Sequence, residues 1–329
     1  MVERSERSLY ARDTNRKSLP FEWGGEHVGL PAGGDEHAAL RKFTAWAIAN
    51  SDEFFACEPA AQWELDRGVL RFPSALETPY PENNTVWGQF FEGGKDLAVV
   101  VLPQWNCPRN SQFRLCEFLQ RMGIASLRLS LPYHHNRKPA HLERSEYTVS
   151  PNIGRTLAAS RQAVMDTRRA ADWLLARGYQ RLAILGTSIG SCVGFLAFAH
   201  DPRFSAAAFV HVSSYFADVV WSGLSTKHMR SSLETGVTLP ELRALWEPIS
   251  PYPFIKKLHG SNRKLLMISG RHDLSFLPGL SEQGYAEFDR WDIPHERVWL
   301  PCGHYTMGRL PFSVVAGYRI VRFLRSSHT

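Results

Sequence analysis

Ser188 sits at the centre of Gly186-Thr187-Ser188-Ile189-Gly190, between an apolar run over residues 182–185 and a helix-compatible run over 192–200. A serine hydroxyl is a weak nucleophile until a base takes its proton, and that base needs a third group to orient it. A sharp strand-to-helix turn would lift the Ser188 Oγ out of a sheet. Small residues two places to either side let strand and helix approach there. Two further residues of suitable type follow in the order serine, acid, histidine. Asp273 stands just past residues 264–270 and His304 just past residues 297–300, and both runs read as strands ending in turns. In an open parallel sheet such strand ends share one edge, where ligands bind. Together the three residues point to acyl transfer: Ser188 attacks a carbonyl carbon, His304 carries the proton, and Asp273 orients His304.

The chain around them alternates strands and helices. Residues 96–102, with Ala98-Val99-Val100-Val101 at their centre, read as a buried strand, followed by the loop 103–108 and a helix over 110–122 closed by Gly123. A strand over 125–131 leads into a long polar loop, 132–153. An amphipathic helix over 155–176 follows, stopped by Gly178 ahead of the Ser188 strand. A strand over 206–212, a helix over 282–291 and a closing helix over 311–324 complete the pattern, which indicates an α/β fold with a mostly parallel sheet flanked by helices. Upstream, residues 63–72 and 84–91 suit an antiparallel pair. Residues 36–56 suit a helix with Leu40, Phe43, Ala47 and Ile48 on one face. Residues 1–36 are polar and charged and read as a partly mobile arm. The organisation expected is an N-terminal arm and helix over 1–62, then one domain over 63–329.

Residues 213–262 are too long for a plain connection. They carry Trp221, Leu224, Met229 and Leu233, and a capping box, Thr238-Leu239-Pro240-Glu241, ahead of Leu242 and Trp246. They read as a helical lid over about 214–262 at the mouth of the site; the alternative is a helix pair that completes the core elsewhere. With Arg137 and Lys138 in the neighbouring loop, the expected pocket is apolar with a cationic rim. Tyr133, His134, Arg137, Trp221 and Leu224 are its expected substrate-binding residues, with His134 and His135 equally readable as solvated loop histidines.

Composition narrows the function classes. The chain has 329 residues, is 44% apolar and carries a formal charge of +6, with a pI near 9.1. There is no apolar run of about 18 residues, hence no expected membrane span. Residues 1–19 lack the apolar segment of a signal peptide, so a cytoplasmic location is expected. The five cysteines are scattered and odd in number, without metal-type spacing, and are expected as reduced thiols. His134 and His135 have no carboxylate or cysteine partner at ligand spacing, so no metal site is expected there, and the Ser188, His304 and Asp273 chemistry implies no cofactor. No nucleic-acid module is visible. Arg319, Arg322 and Arg325 recur every three residues on the last helix; a solvated face is the plain reading, and a contact with an anionic lipid surface or a partner the other.

On the Gly-x-Ser-x-Gly turn and the order Ser188, Asp273, His304, residues from about 96 to 325 resemble the α/β-hydrolase superfamily, with 63–91 as its opening antiparallel strands. The resemblance implies an α/β-hydrolase fold and an oxyanion hole. One donor would be the N–H of Ile189 and the other that of Trp105 or Gln104, in the loop after the third strand. The usual His-Gly pair of that loop is absent here. Residues 132–139 also resemble a stretch in the α/β-hydrolase domain-containing protein 18 group, which leaves the substrate open. The implied activity is hydrolysis of a small-molecule carboxylic ester, acyl or amphiphilic, through an acyl-enzyme. An amide, thioester or lactone substrate, or acyl transfer, would use the same three residues, and a silent binding protein would share the fold. Asp218 is the rival to Asp273, since a minority of the superfamily take their acid from that region; Asp273 is preferred because it directly follows its strand. His272 is expected to face away, and Cys192 and Cys302 to be packed inside.

Overall fold

The computed structural model describes residues 2–12, 16–31 and 33–326. Among these, nine strands form one sheet: β1 (Glu64–Asp66), β2 (Val69–Pro73), β3 (Thr85–Phe91), β4 (Leu97–Leu102), β5 (Ala125–Leu129), β6 (Arg181–Thr187), β7 (Phe204–Val210), β8 (Lys264–Gly270) and β9 (Glu296–Leu300). Their order is β1-β2-β3-β5-β4-β6-β7-β8-β9. The six strands from β5 to β9 run parallel, and β3, β2 and β1 extend the sheet antiparallel. Every residue of β4 is buried, which is why it reads as an unbroken apolar run. Its side chains alternate between two cores: Ala98, Val100 and Leu102 on one face, Leu97, Val99 and Val101 on the other. Each such Val or Leu contributes about 1.5–3 kcal/mol on burial.

Eleven α-helices among the described residues cover and flank the sheet. They are α1 (Val2–Ala11), α2 (Glu36–Ala49), α3 (Ser51–Phe54), α4 (Phe113–Arg121), α5 (Ile153–Ala176), α6 (Ile189–His200), α7 (Phe216–Ser222), α8 (Arg230–Leu233), α9 (Leu239–Leu245), α10 (Pro278–Arg290) and α11 (Phe312–Ser326). The α5 and α6 helices bury their apolar residues on the first core, while α4 and α11 close the second. Side chains set several helix starts. Asp35 accepts the Ala38 N–H at 2.9 Å, Asn152 accepts that of Arg155 at 2.8 Å, and Thr238 and Glu241 form the capping box that opens α9.

Three expectations change. Residues 63–72 form a hairpin, β1–β2, because Arg67 and Gly68 both take left-handed backbone angles (φ 46° and 79°) and reverse the chain. The helix expected over 36–56 breaks at Asn50 into α2 and α3. The described part of the N-terminal arm is docked. Ile153 and Gly154 donate to the carbonyls of Glu22 and Trp23 at 3.0 and 2.8 Å. Phe21 packs so closely on Gly236 that a Cβ there would strike its ring.

The insertion between β7 and β8 holds α7, α8 and α9. Trp221, Met229, Leu233, Leu242 and Trp246 all belong to the first core, and Trp246 is fully buried with its indole N–H on the Ile153 carbonyl at 3.2 Å. The insertion therefore completes the core with the residues expected to wall a pocket.

Candidate active site

The turn between β6 and α6 carries Ser188 at φ 58°, ψ −123°. A non-glycine residue is held there only when its surroundings dictate it. The surroundings do so through close backbone approach. A Cβ on Gly186 would strike the Gly190 carbonyl, and one on Gly190 would strike the carbonyl of Leu102 at the end of β4. The Ser188 N–H donates to Val210 at 2.9 Å. The Ser191 hydroxyl lies 2.6 Å from the carbonyls of both Ser188 and His211.

Three strand ends converge on Ser188. Its Oγ stands 3.2 Å from His304 Nε2, and His304 Nδ1 stands 3.2 Å from Asp273 Oδ2. The second oxygen of Asp273 accepts the N–H groups of Ser275 and Phe276, both at 2.7 Å. Burial would push the Asp273 carboxyl up, but the His304 and His211 imidazoles beside it prevail and hold it well below the usual carboxylate range. The His304 ring stacks on Phe276, with centroids 5.3 Å apart and planes 11° apart.

His211 was not anticipated. It follows β7 at the same sheet edge, is buried, and has φ 62°. Its Nδ1 lies 2.7 Å from the Asp273 oxygen that faces His304, and its ring centroid is 4.2 Å from that of His304. Burial, then the neighbouring His304, push its pKa down. The strand expected over 206–212 ends at Val210, two residues early, and this is what puts His211 on the strand-end turn beside Asp273 and His304. Among the described residues, His211, Asp273 and His304 form a group whose donor atoms lie within 4.8 Å of one another, close enough to share a metal ion. The His304–Asp273 contact at 3.2 Å is a hydrogen bond, whereas His211 Nδ1, at 2.7 Å from the same carboxylate, is an ion-pair contact whose angle does not make one.

The candidate oxyanion donors lie where β4 ends. Ile189 opens α6, so its N–H has no acceptor within the helix. Gln104 and Trp105 follow the Leu102-Pro103 backbone that abuts Gly190, and among the described residues neither main-chain N–H meets an acceptor. Their side chains are engaged elsewhere: Gln104 Nε2 donates to Ser111 Oγ at 3.2 Å and Trp105 Nε1 to the Ser145 carbonyl at 2.8 Å.

The expected substrate-binding residues are buried or held by partners of their own. Arg137 is fully buried, ion-paired with Asp166 at 2.9 Å and bonded to the Asn83 and Ser130 carbonyls, so it forms no rim. Lys138 bonds the Leu142 carbonyl. His134 is buried; its Nδ1 sits 3.0 Å from the Pro132 carbonyl and its Nε2 accepts the Asn106 N–H at 3.1 Å. It therefore braces the β4 loop from behind, and burial pushes its pKa down to about 3. His135 is half-buried, its Nε2 on the Cys107 carbonyl at 2.9 Å. Tyr133 is buried edge-on to Tyr80 and Tyr147. Trp221 and Leu224 are buried, with the Leu224 N–H on the Leu274 carbonyl at 2.7 Å. Asp218 pairs with Arg243, whose Nε lies 2.7 Å from Oδ2. Cys192 and Cys302 are buried, which pushes both thiols up to about 12. The Arg319, Arg322 and Arg325 side chains are exposed.

A cleft beside Trp105 is walled by the N-terminal residues Arg16, Lys17 and Leu19, by Arg144 and by His228 and Met229. Lys17 pairs with Glu143 at 2.8 Å. No helix among the described residues is long and apolar enough to cross a membrane.

No protein-family model matches the sequence, and none of the curated proteins does. Solved structures do resemble it. An acetyl xylan esterase from Paenibacillus sp. R4 aligns at a TM-score of 0.59 and 16% identity, over 91% of this chain and 97% of that one. Acetyl xylan esterase 1 from Thermoanaerobacterium sp. JW/SL YS485 aligns at 0.58 and 12% identity, over 93% and 99%. A puromycin-hydrolyzing peptidase of Mycobacterium tuberculosis aligns at 0.56 and 16%, over 82% of this chain and 48% of that one. At these identities the likeness is one of fold, and with the nine-stranded, mostly parallel sheet it identifies the α/β-hydrolase fold.

Proposed function

We propose that this protein is a serine hydrolase that cleaves a carboxylic ester with a small acyl group. The observation that carries the reading is the relay of two 3.2 Å contacts, Ser188 Oγ to His304 Nε2 and His304 Nδ1 to Asp273 Oδ2, on three separate strand ends. The Ser188 hydroxyl gives its proton to Nε2 as Oγ attacks the ester carbonyl carbon. The charged oxygen is met by the N–H of Ile189 and that of Gln104 or Trp105. The C–O bond to the alcohol breaks as Nε2 returns the proton to the leaving oxygen. Water repeats the cycle on the acyl-Ser188 ester and releases the acid. Asp273 accepts from Nδ1, which leaves Nε2 free to face Ser188 and stabilises the imidazolium. A small acyl group is favoured because the large apolar residues of the insertion are packed into the core. Solved structures of similar fold that carry the name acetyl xylan esterase support an ester substrate.

The test is labelling by a fluorophosphonate probe together with turnover of aryl acetate and aryl octanoate. The parent protein is expected to label, Ser188→Ala is not, and acetate is expected to turn over at least as fast as octanoate. Asp273→Asn should lower kcat by about 10⁴-fold, and Asp218→Asn by less than about tenfold, ~1.4 kcal/mol of barrier. Folded protein that neither labels nor cleaves any aryl ester would leave a binding protein of this fold. A severe Asp218→Asn with an active Asp273→Asn would move the acid to Asp218.

A further inference from the structure

No apolar side chain of the α1 helix is fully buried; Val2, Leu9 and Tyr10 are half-buried. The sequence of the helix is Val-Glu-Arg-Ser-Glu-Arg-Ser-Leu-Tyr-Ala, and its one fully buried side chain is a carboxylate, Glu6. Burying a carboxylate is costly unless its oxygens are hydrogen-bonded. Glu6 meets that condition on the turn that carries His304. Its Oε2 accepts the Tyr305 N–H at 2.9 Å, and its Oε1 accepts the Thr306 N–H at 2.8 Å. The fit is close on the other side too, since a Cβ on Gly303 would strike the Glu6 carboxyl carbon. The turn is tied within itself by the Gly303 N–H on Thr306 Oγ1 at 2.8 Å and to the Asp273 turn by the His272 N–H on the Cys302 carbonyl at 2.9 Å.

We infer that Glu6 is a positioning residue for His304. Its carboxylate collects two amides of the His304 turn and sets where the imidazole stands between Ser188 and Asp273, so that α1 is a working part of the site. The inference rests on the hydrolase reading above. Both His304 contacts are 3.2 Å, near the long end for a hydrogen bond, which leaves little room for the turn to drift. Without Glu6, two turn amides lose a charged acceptor and the turn is free to relax.

The experiment compares Glu6→Ala, Glu6→Gln and Glu6→Asp with Glu3→Ala, an exposed residue of the same helix, all in the full chain. The parent is first shown to label with the fluorophosphonate probe; a parent that does not label defeats the hydrolase reading and not the Glu6 contact. Glu6→Ala is expected to lower kcat by about 10²-fold, the cost of roughly an ångström of misplacement, with KM within about twofold. Glu6→Gln, which still offers one oxygen to one amide, should recover part of the loss, and Glu3→Ala should match the parent. Hydrogen exchange of the peptide over residues 303–307 should quicken in Glu6→Ala, a readout that needs no activity. If Glu6→Ala does not fold, Glu6→Gln and Glu6→Asp carry the same measurements. Parental kcat and parental exchange in a folded Glu6 variant would overturn the inference, as would a variant that melts earlier while its folded fraction keeps the parental kcat.

Discussion

Residues 132–153 and the described part of residues 2–31 are two polar stretches that both line the cleft beside Trp105, and they handle charge differently. In the first, Glu143 and His141 stay exposed, but several ionic and polar groups point inward. Arg137, His134, Glu146, Thr148 and Asn152 are all buried, and Arg137 spends its guanidinium on Asp166 and two carbonyls. In the second, Glu3, Arg4, Arg7, Lys17 and Glu22 are exposed, and Glu6 is sunk into the His304 turn. The first stretch holds the scaffold, bracing the β4 loop through His134 on Asn106 and Ser145 on Trp105. The second presents Arg16 and Lys17 to the cleft. A charge therefore acts on the fold or on a ligand according to what its partner excludes from water, and the composition of the segment does not decide between them.

Arg137→Met separates the two regions most widely. It leaves the Asp166 carboxylate buried with the Ser74 hydroxyl and Ala75 N–H as donors but no cation. Breaking a buried pair from one side costs about 3–5 kcal/mol. Denaturant melts should show that loss, while kcat per folded molecule stays within about twofold. Lost activity at unchanged stability would instead return Arg137 to the rim of the site.

The parts of the site that could be read from the sequence are those set by neighbours along the chain. The glycines flanking Ser188 state a tight turn, and Asp273 and His304 betray themselves by following apolar strands. The alternation of strands and helices gives the parallel sheet for the same reason. What could not be read depends on distant partners. Arg137 looks solvated until Asp166, on α5, arrives to pair with it. Trp221 and Leu224 look like pocket walls until the core is seen to need them. Glu6 lies 299 residues before Tyr305 and carries no local signal at all. His211 differs, because the strand read over 206–212 encloses it, and only the end of β7 at Val210 places it on the sheet edge.

Acid separates the regions at the next level of effect. Burial pushes His134 down to about 3 and His135 to about 4 in the folded chain, against about 6.5 when unfolded. A histidine lowered on folding binds its proton more readily in the unfolded state. Stability is therefore whole above pH ~6.5, falls as pH drops below it, and goes on falling until the folded value is reached. By pH 5 His134 alone should remove about 2 kcal/mol. Melting curves at pH 7 and pH 5 for the parent and for His134→Gln would show it. The variant should be less stable at pH 7 yet lose less on acidification, and equal slopes would mean that His134 is protonated in the folded protein.

The smallest effect belongs to Lys17, and it completes the contrast. Lys17 and Glu143 are paired at 2.8 Å, but their side chains are 59% and 57% exposed, and water screens most of the attraction. Lys17→Ala should therefore shift the melting temperature by no more than about 1 °C. On the hydrolase reading proposed above, its place on the cleft wall beside Trp105, a candidate oxyanion residue, gives it a second expected role. A lysine in water near a binding cleft attracts an anionic ligand over roughly a Debye length, ~10 Å at 0.1 M salt and ~3 Å at 1 M. For an aryl ester bearing a carboxylate, KM should rise about two- to threefold in Lys17→Ala at low salt, with kcat unchanged. For the neutral ester no change is expected, and for the charged one the difference should close at about 1 M salt. An equal rise for both esters would show that Lys17 shapes the cleft by packing, whereas a loss of stability without any KM effect would place it with Arg137 among the charges that hold the fold.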